Sequence, residues 1–226
     1  FFSLYEQRIH DNWNSKTLCW IGLAGIFTGL GFLFRHQAGM QIGFLGIYFL
    51  FRYIIFDPKV KSAIGYVKRL SQGAFLGISF LLPFGIACWI MDSLGVFDKF
   101  IYWNFTFNFK YIGAGTNLLP SFNGLIRLPI FLVFTFPVWF YAVKGIIKEI
   151  PILISNIRER QIEKASDNYL FLILWLIFSV IPVFLGSRFY SHYFIQTFPP
   201  LFLLGAVGAF YTFEKLRKKA DQKMGH

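Results

Sequence analysis

Arg188 and His192 stand four residues apart in the stretch GSRFYSHYFIQTFPP, Gly186 to Pro200, between two long apolar runs. On a helix that spacing puts both side chains on one face, one turn apart, where a guanidinium and an imidazole can grip a single anion. Tyr190, Tyr193 and Phe194 surround the pair with aromatic surface, and Pro199-Pro200 breaks or resets the helix just as the next apolar run begins. A second basic grouping, Arg35-His36-Gln37, fills the short connection between two earlier apolar runs. The same residues also suit a plainer role. An arginine at a helix end lifts its charge to the lipid headgroups, tyrosines form an interfacial belt, and three polar side chains are ordinary in a tight turn. The residues alone leave both readings open.

The elements that must position these groups are set by composition. Of 226 residues 56% are hydrophobic and 21% aromatic, far above the content of a water-soluble domain, so an all-α polytopic membrane protein is expected. Apolar runs of spanning length occur at Thr17–Phe34, Ala38–Phe56, Ala74–Met91, Leu128–Val143, Asn168–Gly186 and Ile195–Phe213, which predicts six transmembrane helices in one domain, residues 1–226. The second is weakened by Arg52, and the fourth is short and holds Pro129 and Pro137. In the first helix Gly22, Gly25 and Gly29 form a small-residue face for close helix approach, and Gly205 with Ala209 offers a similar one in the last.

Net charge is +11, yet the Lys and Arg gather at the ends of the apolar runs, as topology requires, so nucleic acid is not an expected partner. With both termini cytoplasmic, only Arg35, Lys99, Lys110, Arg127 and Arg188 of the 22 basic residues fall on the external side. Both Arg-His groupings then share that face. The connection DPKVKSAIGYVKRLSQG, with Val60, Ile64, Val67 and Leu70 at helical spacing, reads as a short basic amphipathic helix on the inner leaflet. Ser155–Asp167 alternates charges as a solvated helix does. The long external stretch Asp92–Asn123 is crowded with aromatics from Phe97 to Tyr111. It reads as an interfacial belt, or more sharply as a stretch whose rings and amides line a groove for a lipid or sugar.

Of the 11 acidic residues only Asp92 and Asp98 are external, and both flank the aromatic stretch rather than the Arg-His groups. No paired-carboxylate site results, and the sequence carries no phosphate-binding glycine loop, nucleophile elbow or zinc motif. Cys19 and Cys88 lie inside apolar runs, where they behave as small hydrophobes and indicate neither disulfide nor metal. No catalytic residue, metal site or cofactor is assigned within this chain. It opens FFSLYEQRIH, without Met or a basic region leading into a short apolar signal stretch, and looks cut.

RFYSHYFIQTFPPLFLLGA resembles the segment near the end of the membrane core in GT-C type glycosyltransferases that use polyprenyl-phosphate-linked sugars, the group holding protein O-mannosyltransferases and the lipid A aminoarabinose transferase. The match is carried by Arg188, Phe189, His192, Tyr193, Pro199 and Pro200. GLGFLFRHQAGMQIG resembles that family's helix end through Arg35 and Gln37, and FDKFIYWNFTFNFKYIGAG its external aromatic segment. The resemblance implies transfer of a sugar from a polyprenyl or dolichyl phosphate on the external face of a bacterial inner membrane. Arg35, Arg188 and His192, with His36 and Gln37, would then hold the donor phosphate. Tyr193, Trp103, Asn104, Lys110 and Tyr111 would border the lipid or acceptor groove. The family's catalytic acids belong to an external loop that nothing here matches, so by the resemblance this chain looks like the carboxyl-terminal part of such a transferase, and any divalent metal would depend on that loop. The alternative from another class is a non-enzymatic polytopic protein, such as a lipid-linked-sugar flippase or a transporter subunit. A third is a structural or assembly partner.

Overall fold

The computed structural model describes residues 15–55, 62–108, 110, 122–159, 164–185 and 191–224. Among these there is no strand; the chain is all-α. Five of its helices are long and apolar enough to cross a membrane, which makes it a multi-pass membrane protein. It divides into two compact units, Phe1–Gly113 and Ala114–His226.

In the first unit α1 (Ser15–Phe34) is followed by a 3-10 turn (His36–Ala38), α2 (Gly39–Phe49) with a π-helical extension (Leu50–Ile55), and α3 (Ala63–Ser93). The small face of α1 packs on α3 as its glycines predict. A Cβ at Gly25 would lie 2.6 Å from Ser79 Cβ and 2.7 Å from the Leu76 carbonyl, and one at Gly29 would collide with the Phe80 carbonyl. Only glycine permits this backbone approach.

The expected second span, Ala38–Phe56, is not among the five spanning helices: 11 α-helical residues pass into six π-helical ones, and Arg52 in that extension is 7% exposed. Burying the charge brings it inside the unit instead of snorkelling it to lipid. The expected separate amphipathic helix is also corrected. From Ala63 it is continuous with the third span in one helix of 31 residues, opened by Ser62 Oγ accepting the Gly65 amide at 3.1 Å. Ile64, Val67 and Leu70 are exposed, as the sequence implied. α3 closes in a Schellman turn: Gly95, at φ 67°, donates to Asp92 O and Val96 to Met91 O. That turn delivers the chain into α4 (Phe97–Ile101) and its π-helical continuation Tyr102–Thr106.

In the second unit α5 (Phe122–Arg158), α6 (Lys164–Leu185), a 3-10 turn (Ser191–Thr197) and α7 (Phe198–Met224) surround a core of Ala142, Tyr169, Leu176, Leu201 and Leu204. The 37 residues of α5 extend well past the fourth apolar run. At 1.5 Å per residue they span about 55 Å, against about 30 Å of hydrocarbon. Lys144, Lys148 and Glu149 end the apolar window without ending the helix, because all three are good helix formers. On the close face of α7 Gly208 joins Gly205. A Cβ on Gly205 would meet Val138, and one on Gly208 would collide with the Tyr141 carbonyl.

Of the charged stretch Ser155–Asp167, expected as a solvated helix, residues 160–163 lie outside the described residues and the two ends belong to different helices. α5 ends at Arg158 and α6 begins at Lys164; Asn156 Nδ2 donates to Ser166 Oγ at 2.8 Å, and Asp167 is fully buried in the first turn of α6. A carboxylate there faces the positive end of the helix dipole.

Candidate functional site

The turn after α1 holds Arg35, His36 and Gln37. Its imidazole does not project as a free ligand. The His36 ring meets Phe32 edge-on at 5.3 Å and Phe105 at 5.6 Å, and Phe105 in turn meets Phe84 at 5.5 Å. Phe32 also packs on Phe80 and Phe84, and Phe84 on Phe100. His36 thus joins the α1 turn to the aromatic segment after α3. Such edge contacts contribute about 0.5–1.5 kcal/mol each beyond burial. Burial pushes the imidazole below its usual value of 6.5, toward the neutral form.

The folded protein therefore binds fewer protons at His36 than the unfolded chain once the pH drops below 6.5, so its stability falls from there down through the folded value. His36→Phe is expected to flatten that acid slope. Thermal midpoints of both proteins between about pH 7.5 and about pH 5.5 measure it, and equal slopes would show that His36 does not carry the effect.

In the aromatic segment Tyr102, Trp103 and Phe107 are exposed and packed on one another, Tyr102 to Trp103 at 5.4 Å and Trp103 to Phe107 at 5.1 Å. Its described amides bond within the segment. Asn104 Nδ2 donates to Phe100 O at 2.8 Å, and Asn108 Nδ2 to Asn104 O at 2.8 Å, each satisfied by its own helix. Lys110 Nζ lies 5.9 Å from the Tyr102 ring centre. Tyr111 is outside the described residues.

In the second unit Arg188 is also outside the described residues, and the backbone of His192 belongs to a 3-10 turn instead of the α-helix that four-residue spacing assumed. Neighbouring side chains fix this turn. Phe194 stacks on Phe131 at 4.1 Å and packs on Val183, with Tyr193, Leu128 and Phe131 around them. Thr197 Oγ1 donates to Phe194 O at 2.7 Å. Tyr193 is thus half-buried against α5 and α6. In the same turn Gln196 Nε2 is buried without a hydrogen-bond partner, a donor the sequence reading did not single out.

Comparison with protein families, curated proteins and solved structures gives no match.

Two further features were not apparent in the sequence. An apolar groove of about 550 Å³ runs between Trp139 of α5 and Leu176, Ile177, Val180, Ile181 and Phe184 of α6; Trp139 Nε1 is buried there without a partner. Nearer the Lys-rich end of α5, Glu149 is 5% exposed and neighbours Tyr211 of α7, with the buried Tyr169 of α6 beside them. The available signal was the spacing Gly145 to Glu149, which puts the carboxylate one turn along the face that meets α7. Among the described residues no group of three or more His, Cys, Asp or Glu is placed to hold a metal ion.

Proposed function

We propose that this chain is the donor-holding membrane part of a glycosyltransferase that takes its sugar from a polyprenyl phosphate on the external face of a bacterial inner membrane. Arg188 and His192 would hold the phosphate, where charge-assisted hydrogen bonds stabilise the developing negative charge of the leaving group. His36, neutral and enclosed by rings, is better suited to fixing the Arg35 turn than to carrying charge. The observation that carries the reading is the apolar groove along α6. It reaches Phe184, directly before the Gly186–Pro200 stretch, and suits an isoprenoid chain whose phosphate end meets that stretch. The orphan amide of Gln196 adds a donor to the same turn.

The test is binding of polyprenyl phosphate and of unphosphorylated polyprenol to the purified protein. The phosphate form is expected to bind about tenfold more tightly or better. Equal affinities would remove the phosphate site.

Glu149 favours a second reading. A carboxylate buried among three helices is what a transporter or flippase needs. Movement of an intact lipid-linked sugar across vesicle bilayers would support that role, and cleavage with transfer to an acceptor the first.

A further inference from the structure

The geometry points to a seat for an anionic phospholipid on the exposed face of α5, independent of any sugar donor. Val133, Phe136, Phe140, Lys144 and Lys148 follow at spacings of three and four residues, so they form one stripe along the helix. All five are exposed, and Ile147 beside them is exposed as well. The stripe is apolar where it crosses hydrocarbon and ends in two ammonium groups one turn apart.

These lysines differ from Lys218 and Arg217 of the same unit. On α7, Lys218 pairs with Glu214 at 3.1 Å, and Arg217 approaches Asp221 at 4.0 Å. Lys144 and Lys148 instead rest over aromatic rings: Lys144 Nζ lies 4.2 Å from the centre of Phe140, and Lys148 Nζ 3.4 Å from that of Tyr211. A ring face holds an ammonium group but accepts none of its N–H donors in a strong hydrogen bond. Tyr211 is itself held in place, packed against the buried core of the unit. Part of the side-chain freedom that an anion would have to remove is therefore already lost in the free protein.

Two oriented, donor-rich cations at the polar end of an apolar stripe complement a phosphate joined to hydrocarbon tails. The phosphate bridges Lys144 and Lys148 while an acyl chain lies along Phe140, Phe136 and Val133. A free phosphate would meet only half of this surface.

The test is the thermal midpoint of the purified full chain in a neutral detergent, with phosphatidylglycerol, phosphatidylcholine or inorganic phosphate added. Phosphatidylglycerol is expected to raise the midpoint by roughly 5 °C. The other two additions should raise it far less. Lys144→Gln with Lys148→Gln should abolish most of the rise, and Lys218→Gln should keep it. Because losing Lys148 also uncovers Tyr211, Lys144→Gln alone serves as the second variant and should at least halve the rise. An equal rise with phosphatidylcholine or with phosphate alone overturns the seat. So does a full rise in the lysine variants, or an equal loss in Lys218→Gln.

Discussion

Gly208→Val is expected to unfold the second unit or lower its melting midpoint more than any conservative apolar change in the core. The first added carbon would collide with the Tyr141 carbonyl oxygen, lie 2.7 Å from Tyr141 C and lie 3.1 Å from Gly145 N. All three obstacles are backbone, so no rotamer change relieves them. α5 and α7 must move apart along the crossing that also holds Gly205 on Val138 and buries Ala142, Leu201 and Leu204. Overpacking a tight core costs about 1–3 kcal/mol when side chains can yield, and this site falls at or above the upper end. Gly77→Ala is the matched control: nothing lies within 4 Å of its added carbon, and replacing a helical glycine gains about 1 kcal/mol of helix propensity. Unfolding in detergent, followed by helical circular dichroism, separates the two. A Gly208→Val protein melting with wild type would show that α5 and α7 do not cross at these glycines.

Arg188→Ala, made in the protein expressed from its complete reading frame, is expected to reduce sugar transfer about a hundredfold or more. Membrane insertion and melting should stay unchanged. The reason is chemical: a guanidinium gives a phosphate two parallel charge-assisted hydrogen bonds that an alanine cannot replace. Arg188→Lys should restore part of the rate, since the ammonium keeps the charge and loses the fork. Transfer at the wild-type rate in Arg188→Ala would remove this residue from the donor site. Loss of transfer together with loss of folding would assign it a structural part instead.

Much of the fold was legible because membrane spans are written locally. A run such as Ala74–Met91 must be helical in lipid, where each backbone amide needs a partner within its own segment. Gly22, Gly25 and Gly29 announced a close crossing through their spacing alone, and α3 meets them there. Hydropathy did not give helix ends. It reports where lipid stops, whereas a helix continues through Lys144, Lys148 and Glu149 as long as its own hydrogen bonds do. The second apolar run shows the converse: its composition suits a span, but the helix passes into a π-helical turn that buries Arg52.

The candidate site was legible only as residue types. Arg35-His36-Gln37 could be seen in the sequence as a polar turn between apolar runs; that Phe32 and Phe105 close on the imidazole could not. Phe105 comes from a segment far along the chain, and such pairings leave no local period to read.

The sequence by itself determined an all-α membrane protein, its strongest spans, and a basic charge gathered at their ends, because partition into lipid depends on what each stretch is made of. Only the tertiary structure decided that Gly208 meets α5, that Asp167 and Glu149 are buried, and that Lys148 rests on Tyr211. Each of these depends on which helix faces arrive at the same place, and that is set by packing between residues distant in the chain.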